Sequence, residues 1–110
     1  MWTELTDTMK KFPEKFSVCE IKIDGGFWKG YNIKELFDSD MSGQIVFWGE
    51  DGQMAAVSAM EAFASKAYLM FEKDGRNLYE DPGTFRLVFP EEKYHRRWCR
   101  EIRKYMIQGD

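Results

Sequence analysis

Glycine-bearing turn signals cut this chain into short apolar pieces, and that punctuation limits the fold more than any other feature of the sequence. Gly25-Gly26, Glu50-Asp51-Gly52, Asp74-Gly75 and Asp81-Pro82-Gly83 each mark a break or turn, because glycine reaches the backbone conformations of tight turns and proline fixes the approach. The runs between them are short and apolar, which suits strands. Residues 16–23 alternate, placing Ser17, Cys19, Ile21 and Ile23 on one face and Phe16, Val18, Glu20 and Lys22 on the other. Residues 44–49 and 54–57 read as the two arms of a hairpin around Glu50-Asp51-Gly52. Residues 68–72 and 85–89 read as two further strands.

Helical signals are local and brief. Leu5, Met9 and Phe12 sit at helical spacing, with Thr3 or Thr6 as a cap and Pro13 as the stop. Asn32 is placed to cap a short helix over residues 33–37. Ser58-Ala59-Met60-Glu61 has the capping-box pattern, in which hydroxyl and carboxylate each satisfy a free N–H at a helix start. From Glu91 onward Tyr94, Trp98, Ile102 and Tyr105 recur every three or four residues, which predicts an amphipathic helix carrying arginines on its other faces. The expected architecture is α+β: one domain over residues 1–110, a mixed sheet with short helices.

Composition sets outer bounds on function. At 110 residues and 44% hydrophobic, the chain suffices for a single core. Sixteen Lys and Arg against nineteen Asp and Glu leave a net charge of −3, so nothing draws the whole molecule toward nucleic acid or anionic lipid. No apolar run approaches the roughly 20 residues that span a bilayer, and a polar, acidic opening segment leads to an expectation of a cytoplasmic protein. Cys19 and Cys99 are too few for a secreted disulfide scaffold, so reduced thiols are expected, with a redox pair between them as a weaker option.

Motif by motif, the chemistry is sparse. Residues 38–45 match the first eight positions of a calcium loop, but Gly49 stands where the bidentate glutamate belongs, and a polar loop is the better reading. His95 is the only histidine, which excludes a multi-histidine metal site within one chain; a surface place on the basic helix is expected for it. The Gly25-Gly26 and Gly49/Gly52 pairs lack a phosphate-loop lysine and read as turns. His95, Arg96, Arg97, Arg100, Arg103 and Lys104 concentrate positive charge at the C-terminal end, suited to a phosphate or carboxylate, or simply to solvent. Cys19 by itself reads as a small buried hydrophobe, with no histidine in its strand to activate it.

Several pieces then occur in a telling order. Cys19 on its strand is followed by the Trp-x-Gly step Trp28-Lys29-Gly30 into a short helix, and the next strand closes at Asp51-Gly52, with Gln53 where an aromatic is usual. Ala67-Tyr68 leads to Gly75 and Leu78, Gly83 through Pro90 meets the signature Gly-x-x-Arg-Leu-Val-x-Pro, and residues 94–102 form a Tyr- and Trp-bearing basic segment. In this order the chain resembles the sulfite-oxidase-type oxidoreductase molybdopterin-binding domain, from about Leu5 to Ile107. The resemblance implies molybdopterin as cofactor, with Cys19 as catalytic metal ligand, Arg86, Arg97 and Arg100 on the cofactor phosphate and Asp51 on the pterin edge. It implies oxygen-atom transfer or reduction at molybdenum, the cofactor supplying the redox chemistry. It also implies a strand after Ile102, against the helical spacing. Two family features are absent: a histidine-asparagine segment upstream of Cys19, and a histidine where Asp81-Pro82 stands. A minimal version of that fold is therefore expected, either a molybdenum-dependent oxidoreductase working with a redox partner protein, or a cofactor-free module using its basic C-terminal surface for an anionic ligand or acidic partner. Neither version takes nucleic acid or membrane as partner.

Overall fold

The computed structural model describes residues 2–37, 42–92, 95, 97–109. Among these described residues nine strands form one sheet: β1 (Thr3–Glu4), β2 (Cys19–Ile23), β3 (Gly26–Asn32), β4 (Gln44–Gly49), β5 (Met54–Ser58), β6 (Tyr68–Lys73), β7 (Arg76–Asn77), β8 (Phe85–Val88) and β9 (Cys99–Gln108). Two short helices join them, α1 (Leu5–Lys11) and α2 (Ala59–Phe63). The main path runs β2-β3-β6-β8-β9-β4-β5, with β1 added to β9 and β7 to β6. Every pairing among the described residues is antiparallel, so the sheet is not mixed and the domain is more β than the sequence suggests.

Local chemistry accounts for the turns and caps. Asp24-Gly25 and Asp74-Gly75 each take positive φ at both positions, 50° and 83° in the first and 51° and 80° in the second. These are the left-handed corners whose twist matches that of a two-residue hairpin. Asp74 Oδ1 accepts a hydrogen bond from Phe27 N at 2.9 Å, locking the two hairpins together. At α2 the capping box is complete: Ser58 Oγ accepts from Glu61 N at 3.1 Å, and Glu61 Oε1 accepts from Ser58 N at 3.3 Å. Asn32 Oδ1 accepts from Lys34 N at 3.0 Å, but what it caps is a single 3-10 turn, Ile33–Leu36.

The two faces of the sheet are buried differently. One carries the main core, in which Ile45 and Phe47 of β4, Leu69 of β6, Phe85 and Leu87 of β8 and Ile102 and Tyr105 of β9 meet Leu5 of α1 and Ala62 of α2. The other holds a smaller cluster of Ile23, Trp28, Met70 and Val88, flanked by Ile21, Tyr68, Leu78 and Trp98. Alternation along β8 divides Phe85 and Leu87 from Arg86 and Val88 between these faces.

The amphipathic helix expected after Glu91 is instead β9 from Cys99 onward. Two irregularities explain the misleading spacing: the register shifts where Phe85 and Leu87 face Ile102 and Cys99, and again where Trp48 and Gly49 face Lys104 and Ile102. Each inserts a residue and returns the next inward side chain after three positions instead of two. Cys99, Ile102 and Tyr105 thus share a face at helical spacing while lying in a strand. The strand that the resemblance implied after Ile102 is present, and it begins earlier. Tyr94, and residues 38–41 of the calcium-loop match, lie outside the described residues. β3 is a strand that the Trp28-Lys29-Gly30 reading passed over as a lead-in.

Candidate functional site

Arg86 is the centre of the smaller face. It stands beside two tryptophan rings, its guanidinium carbon 5.8 Å from the Trp28 centroid and 5.6 Å from that of Trp98. The rings meet edge to face at 5.6 Å. Trp98 is pinned by its indole N–H, which donates to Phe89 O at 3.2 Å. Lys73 lies directly across the sheet from Trp28, and its Nζ sits 5.0 Å above the Trp28 ring. His95 stacks flat on Trp98, centroids 3.7 Å apart at 11°, and its Nε2 is 3.3 Å from Asp24 Oδ2.

These side chains line a hollow of about 190 Å³, with Ile23 and Asp24 completing it. Its charge is unbalanced: neither Arg86 nor Lys73 has a carboxylate partner among the described residues. Arg86 Nε is buried with no hydrogen-bond acceptor. A guanidinium without its acceptor costs desolvation free energy that an incoming oxyanion returns. Two tryptophans beside it lower the local dielectric and strengthen that attraction.

The other predicted site residues do not gather here. Arg97 is fully engaged: its Nη2 contacts Glu61 Oε2 at 2.6 Å, its Nη1 donates to Glu61 Oε1 at 3.0 Å, and its Nε donates to Glu92 Oε2 at 2.5 Å. Those hydrogen bonds hold the Glu61 carboxyl below its ordinary range and raise Arg97 further above its own. Arg97 is therefore a structural clamp between α2 and the β8–β9 connection. Asp51 sits at the tip of the β4–β5 hairpin, where its Oδ1 accepts from Gln53 N at 3.1 Å. Arg100 projects from β9 into solvent.

Cys19 does share the Arg86 face. Successive register pairs Cys19–Gly30, Gly30–Met70 and Met70–Arg86 put all four on one row, so thiol and guanidinium stand three strand spacings apart, roughly 14 Å. The half-buried thiol donates to Gly30 O at 3.4 Å, and burial pushes its pKa above the ordinary 9.0. It is held as a thiol, the weaker form of a metal ligand. Cys99 lies in the main core, on the opposite face and four strands away, and both cysteines are free. That separation is several times the span of a disulfide, which removes the intrachain redox pair.

Molybdopterin needs its sulfur ligand, phosphate cations and pterin contact to converge, and here they are spread over two faces and a hairpin tip. The four assigned cofactor contacts and Cys19 do not form one cradle. Among the described residues no group of three or more His, Cys, Asp or Glu is arranged to hold a metal ion, and no helix is long and apolar enough to cross a membrane. Of the site's residues the sequence pointed to Arg86, through its signature, and to His95, through the basic cluster; Trp28, Lys73 and Trp98 carried no motif of their own as ligand contacts and meet only through the fold. No protein-family model, curated protein or solved structure matches the chain.

Proposed function

We propose that the chain is a cofactor-free binding module for a small oxyanion, a phosphate, sulfate or carboxylate head group held at Arg86 and Lys73 against Trp28 and Trp98. The observation that carries this reading is the buried, acceptor-less Nε of Arg86 in a hollow with a second unpaired cation. The hollow matches a head group better than a large cofactor. It also moves the anionic site from the C-terminal surface, where Arg97 is already spent on Glu61 and Glu92, to the sheet face.

Titration with inorganic phosphate, sulfate and phenyl phosphate, followed by tryptophan fluorescence and calorimetry, tests it. Binding is expected to be saturable, to weaken at higher salt, and to fall at least about tenfold in Arg86→Met, the loss of one charge-assisted pair. Arg97→Met and Arg100→Ala should leave affinity unchanged. Equal binding by Arg86→Met and the unaltered chain would defeat the assignment.

The molybdenum pterin reading rests on the single row that joins Cys19 to Arg86. Its test is elemental: molybdenum near one atom per chain in protein from a host that makes the cofactor, absent in Cys19→Ser, would support it. Metal-free protein from such a host removes it.

A further inference from the structure

A larger cavity, about 500 Å³, opens on the main-core side of the sheet between α1 and the loop before β8. Its floor is aromatic. Tyr31, Phe71 and Phe85 lie side by side, with Tyr31 5.5 Å from Phe71 and 6.0 Å from Phe85. Met9 and Pro13 close the apolar part from above.

The loop wall is fixed in place. Tyr79 Oη accepts from Glu101 N at 3.1 Å, Asp81 Oδ1 accepts from Gly83 N at 2.8 Å, and Asp81 Oδ2 pairs with Arg103 Nη1 at 3.2 Å. With Asp81 already neutralised by Arg103, two charges remain on the lining. Glu80 and Lys10 have no ion-pair partner among the described residues, and they do not pair with each other. Thr84, 7% exposed, is the buried polar residue of the described chain and lies on the same lining. One cavity therefore offers an apolar aromatic floor, one free anion and one free cation. A purely apolar guest would leave both charges unused. A guest of single charge would be attracted by one of these side chains and repelled by the other.

We infer that this cavity binds a zwitterionic small molecule with an apolar body, the simplest being a free aromatic or branched amino acid. Its ammonium goes to Glu80, its carboxylate to Lys10, and its side chain to the Tyr31–Phe71–Phe85 floor. Cavities of this size bury ligands of that scale or somewhat larger. The site lies on the opposite face of the sheet from Arg86 and works independently of it.

Calorimetric titration of the full chain with L-phenylalanine, with phenethylamine lacking its carboxylate, and with 3-phenylpropionate lacking its ammonium decides the matter. Phenylalanine should bind saturably in the range of about 0.1–1 mM, and each singly charged analogue should bind at least about tenfold more weakly. Glu80→Gln and Lys10→Gln, both exposed and expected to fold normally, should each reduce phenylalanine affinity about tenfold or more while leaving phosphate binding at Arg86 unchanged. Absence of saturable binding by phenylalanine, leucine and tryptophan up to about 10 mM would overturn the inference. So would equal affinity for the three phenyl compounds, or no effect in the Glu80→Gln, Lys10→Gln double variant.

Discussion

The two faces of this sheet are built from the same strands and do opposite things. The face under α1 and α2 closes on Phe47, Leu69, Leu87 and Ile102, all at or near zero exposure. The other face closes on Trp28, Met70 and Val88, then interrupts itself with Arg86, Lys73 and His95. Apolar burial stabilises without direction, whereas a cation set beside two indoles stabilises little by itself and waits for a partner. The contrast separates what holds the molecule together from what it is equipped to bind.

The strongest way to break the first face is Phe47→Ala. Phe47 is 0% exposed in the middle of β4, paired to Tyr105 on one side and Ala55 on the other. Removing its ring leaves a cavity that neighbouring strands cannot collapse to fill, at a cost of about 3–5 kcal/mol. Urea denaturation should show a lower midpoint with an unchanged slope. A loss under about 1 kcal/mol would mean that this face is not the one on which the fold depends.

How these faces were prefigured in the residues differs as well. Turns, two caps and isolated strands were legible because their causes are local: the glycine turns, the Asn32 cap and the Ser58–Glu61 box, and the alternation over residues 16–23, of which 19–23 form β2; the Thr3 or Thr6 cap was not, since Glu4 stands at the start of α1 with no side-chain cap. β9 was not, because two irregularities gave a strand the three-residue spacing of a helix, and only its partners β4 and β8 reveal that. β3 was missed since Gly26 and Gly30 weaken its pattern; at Gly30 the chains approach so closely that a Cβ would fall 2.1 Å from Leu69 O. The binding face was legible in two residues, Arg86 and His95. Their companions come from β3, β6 and the segment before β9, and no spacing within a single sequence encodes that meeting.

A smaller effect comes from the clamp that holds α2 over the main face. Glu61→Gln keeps the capping box, since glutamine can serve it, but removes the charge facing Arg97. Both groups are about a third exposed, so solvent screening limits the loss at neutral pH to about 1 kcal/mol. The sign follows from the direction of the shift. Arg97 lowers the Glu61 pKa from its ordinary 4.5, so the contribution is complete above that value and disappears as pH falls through the lower, folded one. Stability measured from about pH 6 to about pH 3 should therefore decline more steeply in the unaltered chain than in Glu61→Gln. Parallel profiles would show that the pair contributes nothing to the closure of this face.

The smallest expected change in stability sharpens the comparison most. Arg86→Met keeps an unbranched stem beside Trp28 and Trp98 and removes a guanidinium whose Nε is buried without an acceptor. Losing an N–H that is buried and unsatisfied is nearly neutral or stabilising when an apolar side chain of similar length replaces it. Thermal and urea midpoints should then match those of the unaltered chain or rise slightly, a change within about 0.5 kcal/mol, while oxyanion binding is lost. A residue that matters only for holding the sheet together would lose stability and binding in step, and a loss of about 2 kcal/mol or more in Arg86→Met would assign Arg86 to the scaffold. Stability retained with binding gone would instead show that this face gives up packing free energy in the unliganded state for the sake of the anion it takes.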